Sequence, residues 1–415
     1  MRQCLLILAM CGLMAAAAAA QPATTWADFI VDTYERHDED LDDHVVGEVD
    51  RFMAIYPRHE RVPDLLYCKG RTLEQAGHEH RALLCWLQLG LVFPDHEQAG
   101  DARDAVMRLA VRAKKYENHL EALRSAMAAP AAAEPADRRM AFLELTTSIM
   151  HKGLRKGALP AYRAFGALYP TDSRQVRTLE WEARILAADG DEHAAAATLA
   201  KAEALFPDAP GVPLVMRRRA LLLADELKSS DEALAVLDRL RLEYPQHPVA
   251  ASALRDQAGI KADSKDYPGA VKDLRAFADS YPEDAQTLDV LFELADLLEG
   301  KLKAWERADA VYDEVVTRAP NDPRAVEALR ASAKLNEKRL KDSGRAATQY
   351  ARVAELFPDA DDADKDLFQA AKLAEKKLSD PARAITYLET IIRTWPDSEP
   401  ARKAQKKLDK LQASE

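Results

Sequence analysis

Proline recurs in this chain at a nearly fixed interval, most often directly after an aromatic residue that ends a helical run. Phe357-Pro358 in VAELFPDADD, Tyr281-Pro282 in FADSYPED and Trp395-Pro396 in IIRTWPDS show the form. The series is Pro57, Pro94, Pro170, Pro207, Pro245, Pro282, Pro320, Pro358 and Pro396, with a weaker member at Pro130. From Pro170 the steps are 37, 38, 37, 38, 38 and 38 residues. A fixed period of this size marks stacked repeats, each of which buries its apolar face only against its neighbours. Such stacking frees a chain of 415 residues from the usual division into separate globular cores.

Twelve residues before most of these prolines stands an alanine: Ala82, Ala158, Ala195, Ala233, Ala270, Ala308, Ala346 and Ala384. Alanine is 77 of 415 residues, far too few to fill the slots this often by chance. Four residues on comes a bulky apolar side chain: Trp86, Tyr162, Leu199, Leu237, Leu274, Tyr312, Tyr350 and Leu388. A small residue and a large one at i+4 share one face of a helix, so a neighbouring backbone approaches the first and the second fills the gap beside it. The proline then stops the helix by forcing the residue before it out of helical angles.

This order of alanine, bulky residue and proline resembles the second helix of the tetratricopeptide repeat family. The resemblance covers about residues 40–412, and the long step with its Tyr/Phe-Pro punctuation is similar to repeats of bacterial cell-envelope members. It implies an all-α fold, a right-handed α-solenoid of about ten helical hairpins whose first helices line a concave groove for a protein or peptide. The family's peptide-clamping Lys/Asn pair does not recur here, so no clamp residues carry over.

The leader MRQCLLILAMCGLMAAAAAA has one basic residue, a short apolar run and small residues at its end. Residues 1–20 are thus expected to be a signal peptide cleaved after Ala20, leaving a periplasmic or secreted protein. Lipidation at Cys11 is disfavoured because Met10 is not small, and no later stretch suits a membrane span. Charged residues are 31%, mean hydropathy is −0.34 and the net charge is −11. That balance argues against nucleic acid or an anionic membrane as partner, since phosphate binding needs a basic face.

The expected layout is residues 21–128 as N-terminal helices and first hairpins, 129–136 as an Ala/Pro-rich break, 137–397 as solenoid and 398–415 as a capping helix. The break, within AMAAPAAAEPADRR, reads better as a long loop than as a joint between lobes. Cys68 and Cys85 are the cysteines left after leader removal, at similar height on facing helices of one hairpin. A disulfide suits an exported protein, but helix axes about 8–10 Å apart exceed its reach, so a bridge and two buried thiols both stay open.

HDEDLDDH (37–44) lacks the glycine and twelfth-place glutamate of a calcium loop, and His78-Glu79-His80 lacks metal-ligand spacing. The basic triplet Arg217, Arg218 and Arg219 fans out around one helical turn and reads as solvated surface. No phosphate-cradling glycine loop, G-x-S-x-G, H-E-x-x-H or C-x-x-C occurs. The sequence therefore points to a non-enzymatic scaffold or adaptor in the cell envelope, with no cofactor and no metal. A structural component acting by self-association is the alternative.

Overall fold

The computed structural model describes residues 23–36, 42–112, 114–128, 134–148 and 155–412. The leader, most of the 37–44 acidic cluster and most of the 129–136 break lie outside the described residues. The described residues form helices and turns, with no strand among them. Two compact units divide between Leu222 and Leu223, and each is taken by itself.

Unit 1 holds α1 (Ala23–Glu35), α2 (Asp42–Ile55), α3 (Val62–Gln75), α4 (Glu79–Val92), α5 (Ala99–Arg112) and α6 (Leu120–Ala128). It continues with α7 (Pro135–Ser148), α8 (Arg155–Leu168), α9 (Gln175–Ala188), α10 (Glu192–Leu205) and most of α11 (Val212–Asp225). Unit 2 holds α12 (Ser230–Glu243), α13 (Val249–Asp263), α14 (Tyr267–Ser280), α15 (Thr287–Asp296) and α16 (Trp305–Arg318). Then come α17 (Pro323–Leu335), α18 (Ser343–Leu356), α19 (Ala363–Lys377), α20 (Pro381–Thr394) and α21 (Glu399–Gln412). Two five-residue π-turns, Leu297–Lys301 and Asn336–Leu340, extend α15 and α17. Consecutive helices pack in pairs, and the arrangement is an all-α solenoid of helical hairpins.

The proline frame has a uniform local structure. Phe93, Phe206, Tyr244, Tyr281, Ala319, Phe357 and Trp395 each cap a second helix with φ between −123° and −136° and ψ between 53° and 64°. Steric conflict with the proline ring drives the preceding residue out of the helical region. Its carbonyl then accepts from the residue three on, as in His247 N–H to Tyr244 (3.1 Å) and Ser398 N–H to Trp395 (3.0 Å), which closes a turn into the next helix.

The turn inside each hairpin needs one left-handed residue. Glycine fills it at Gly77 and Gly190, but Lys228, Lys265, Lys303 and Lys341 fill it later, with φ from 53° to 66°. The residue that follows caps the second helix: Asp191, Asp266, Asp342 and Asp380 each accept from a backbone N–H three residues on. Ala304 holds the same place with φ −88° and ψ 63°, close to the −80° and 68° of Asp266, yet has no oxygen to offer. Ala304→Asp is therefore expected to stabilise the chain by about 1 kcal/mol. An urea midpoint at or below that of the parent, measured by circular dichroism, would count against this cap geometry.

The signature alanines are buried to the last atom: all eight have at most 1% exposure. Trp86, Tyr162, Leu199, Leu237, Leu274, Tyr312, Tyr350 and Leu388 beside them reach at most 6%. In unit 1 the stacking is not regular. Residues 82–92 of α4 are buried without a gap, because α3, α5, α7 and α8 all pack on it. A helix apolar on every side belongs inside. Direct packing of α7 on α4, and of α8 on α2, bypasses the α5–α6 pair, where the sequence rhythm falters. Helices on both sides of the Ala/Pro-rich segment thus share one core, running from Ala27 to Ile185. In unit 2, α21 packs with Ala401, Ala404 and Leu408 buried, Lys403, Lys406 and Lys410 exposed, and Lys407 paired with Glu375 of α19.

Candidate functional site

Adjacent repeats are joined by arginine–carboxylate pairs 35 to 39 residues apart, close to one period. Examples are Arg174–Asp137 (2.7 Å) and Arg218–Glu180 (2.7 Å) in unit 1, and Arg275–Glu314 (2.8 Å), Arg324–Asp289 (3.1 Å) and Arg330–Asp366 (2.7 Å) in unit 2. Each half-exposed pair contributes about 0–1 kcal/mol, and the ladder favours one register between neighbours. A second pairing lies deeper. The residue twelve after a repeat proline reaches back to the preceding second helix in Lys69–Asp50, Arg163–Glu182 (2.7 Å), Arg219–Glu203 (2.9 Å) and Gln257–Asp238 (2.6 Å).

In the repeat that opens at Pro320 this pairing becomes a buried polar network. Asp309, on α16, is 5% exposed and follows the signature Ala308. Its counterparts after the other alanines are Leu83, Leu159, Ala196, Leu234, Val271, Ala347 and Ile385. A carboxylate in such a slot is costly unless its lone pairs are filled. Ser332 Oγ (2.5 Å) and Asn336 Nδ2 (2.7 Å) donate to Asp309 Oδ1, and Arg345 Nε donates to Oδ2. The π-turn places Asn336 inward, since it is the first residue of the extra wide turn and is 1% exposed. Gln349 Nε2 links Ser332 Oγ (3.0 Å) to Asp313 Oδ1 (2.7 Å), and Arg345 also pairs with Asp313.

Above this network opens a recess of about 560 Å³, lined by Asp313, Thr317, Asp342, Arg345, Thr348, Gln349 and Arg352. It lies between α16 and α18, both second helices, away from the first-helix face on which the family resemblance places a groove. Arg352 NH1 donates to Gln349 Oε1 (2.9 Å) and stands 3.6 Å from Asp313, leaving its fork half exposed at the rim. Thr348 and Thr317 return their hydroxyls to their own helices (2.9 and 2.8 Å). Donors and acceptors fixed in this way suit hydrogen bonding to an extended backbone. The network carboxylates are held in ion pairs, and burial pushes the Tyr312 and Tyr350 hydroxyls up, Tyr350 to about 12, so neither is a proton carrier near neutral pH.

The other sequence candidates fall elsewhere. Cys68 and Cys85 are both buried and stand as free thiols in this structure. They face different sides of the hairpin: Cys68 lies by Asp64 and Tyr34, Cys85 by Lys69 and Asp50. Burial pushes Cys68 up to about 12, which keeps it an unreactive thiol. Cys85 borders a cavity of about 30 Å³ lined also by Lys69, Gln88 and Phe142, room for about one water. His80 is hydrogen-bonded to the Tyr116 hydroxyl (2.5 Å) and Glu79 pairs with Arg112 (3.3 Å), while His78 precedes α4 as its cap. No group of three metal-ligating side chains forms among the described residues. Arg218 and Arg219 of the basic triplet pair with Glu180 and Glu203.

The fold therefore defines a helical-hairpin repeat protein. Its residues 289–322 and 367–398 match the tetratricopeptide repeat family model, so those two stretches carry repeats of that type. Among solved structures it is similar to a tetratricopeptide repeat protein from Parabacteroides merdae, with 15% identity and a TM-score of 0.36 over 65% of this chain and 97% of that one. It is also similar to YrrB, a TPR protein described as having an unusual peptide-binding site (20% identity, TM-score 0.30, 50% of this chain and 97% of that one). A third is PilW, a type IV pilus biogenesis factor (16% identity, TM-score 0.35, 57% of this chain and 100% of that one). No curated protein matches the sequence.

Proposed function

We propose that the chain is a non-enzymatic scaffold of the cell envelope that holds an extended segment of a protein partner in the polar recess between α16 and α18. The observation that carries this reading is the recess of about 560 Å³ itself, with Arg352, Thr348 and Asp313 held in fixed geometry over a buried network. Paired, preformed groups lose little freedom on binding, which favours recognition of a peptide backbone. Export rests on the leader at residues 1–20, whose pattern of one arginine, an apolar run and terminal alanines suits cleavage after Ala20.

The test is site-specific photo-crosslinking from residue 348 in the full chain within its native host, with a probe at residue 242 as control, since Leu242 is 81% exposed and remote in sequence. The expected result is one reproducible partner from residue 348 only, weakened by Arg352→Glu. Equal capture from both positions would end the recess reading. A ladder of the chain's own multiples would instead favour self-association as an envelope component.

A further inference from the structure

Arginines in this protein mostly have carboxylate partners, and several hold two: Arg174 with Asp137 and Asp172, Arg324 with Asp289 and Asp322, Arg345 with Asp309 and Asp313. Others, such as Arg71, Arg103 and Arg184, have no ion pair among the described residues, and three of that kind lie together in unit 1. Arg58 follows α2, and Arg138 and Arg139 lie near the start of α7; among the described residues no carboxylate is paired with any of them. The chain as a whole carries 69 acidic against 58 basic side chains, so acid is not scarce.

The three are neighbours. Arg139 is packed over the Phe93 ring at the end of α4, with Cζ 5.4 Å from its centroid, and is hydrogen-bonded to the Tyr169 hydroxyl at the end of α8. Burial, then the charges of Arg138 and Arg58, pull the Arg139 guanidinium below its usual range against the opposing effect of Tyr169. Arg58 donates to the Leu168 carbonyl, the last of α8. Arg138 keeps its Nε–H buried with no hydrogen-bond partner. A carbonyl and an aromatic face are dipoles and quadrupoles, so they orient guanidinium groups without cancelling three positive charges. The start of α7 adds the positive end of a fourteen-residue helix on the same side.

From this cluster we propose a site for a phosphoryl group at Arg58, Arg138 and Arg139, on unit 1 and separate from the recess of unit 2. Planar guanidinium forks match phosphate oxygens two at a time, and a dianion offsets three cations better than a single carboxylate does. The buried Nε–H of Arg138 then gains an acceptor that the described residues do not supply. The site is confined to three arginines, which suits one phosphoryl group and not a polyanion such as nucleic acid.

The experiment is calorimetric titration of the full chain with inorganic phosphate and, separately, glycerol 2-phosphate, against sodium chloride of equal ionic strength. Saturable binding of phosphate is expected, at least tenfold weaker in Arg138→Gln and in Arg139→Gln and unchanged in Arg352→Gln of unit 2. Binding of both probes marks a phosphomonoester site, and binding of inorganic phosphate alone marks a free-ion site. Arg138→Gln is the decisive variant because the Nε–H it removes has no hydrogen-bond partner among the described residues, and Arg139→Lys replaces Arg139→Gln if the latter melts early in chloride. Heats no larger than those of chloride, or binding that survives Arg138→Gln, would overturn the site. The recess reading stands or falls independently, on residues 348 and 352.

Discussion

Trp86→Ala is expected to lower the stability of unit 1 by about 3–5 kcal/mol, the range for emptying a buried aromatic slot. Trp86 is 2% exposed at the centre of α4, the helix on which α3, α5, α7 and α8 converge. Its ring lies against the backbone of α3 at Gly70, where even a Cβ atom would stand 3.0 Å from two of its carbons. Tyr67 meets it edge-on at 5.6 Å, and its Nε1–H donates to Glu74 Oε2 (3.2 Å), the carboxylate that also holds Arg108 of α5. The loss is thus a cavity, an aromatic contact and one tie across three helices. Hydrogen exchange on the full chain separates the effect by place: protection should fall across α3, α4 and α7, while α13 to α20 keep theirs. Uniform loss, or a urea midpoint within error of the parent, would refute the central role given to α4.

The same comparison shows what the sequence could and could not disclose. The proline frame and the alanines twelve residues earlier were legible because both rest on local sterics that repeat. A proline ring always expels its predecessor from helical angles, and a helix can approach closely only over a small side chain. The left-handed turn residues were not legible, since Lys228, Lys265, Lys303 and Lys341 stand where glycine is the usual choice. An exposed lysine tolerates that conformation at a cost of about 1–2 kcal/mol, and no composition rule announces it. Packing of α7 on α4 was hidden for another reason: Asn118 breaks the alanine register before Pro130, and periodicity says nothing about which helices meet once it lapses. The candidate recess was half visible. Asp309 passes for a solvated carboxylate on a helix, yet its slot after the alanine is apolar in seven other repeats, and that alignment is the signal that could have found it.

Asp309→Ala is expected to cost about 3–5 kcal/mol, because it strips a buried hydrogen-bonded charge and leaves its partners behind. Ser332, Asn336 and Gln349 are each at most 2% exposed, so water cannot replace the lost acceptor, and Arg345 keeps only Asp313. The neighbouring repeat shows the apolar answer to the same geometry: Val271, Leu294 and Leu298 occupy the positions of Asp309, Ser332 and Asn336, and none exceeds 5% exposure. Grafting them as Asp309→Val with Ser332→Leu and Asn336→Leu removes the carboxylate together with two of its donors, while Arg345 and Gln349 keep Asp313 as their acceptor. Replacing a buried charge and the groups that serve it by well-packed apolar side chains is neutral or stabilising by about 1–4 kcal/mol. The triple variant should therefore melt at or above the parent, although the single change is severely destabilising, and the two differ by several kcal/mol on identical backbones. The triple variant also separates stability from recognition. It keeps Asp313, Thr348 and Arg352 at the rim but removes the anchor that fixes Arg345, so partner crosslinking from residue 348 should weaken while the melt does not. A triple variant as unstable as Asp309→Ala would mean that these slots are not equivalent between repeats. Full crosslinking from a stable triple variant would mean that the network serves packing alone, and that the rim residues bind without it.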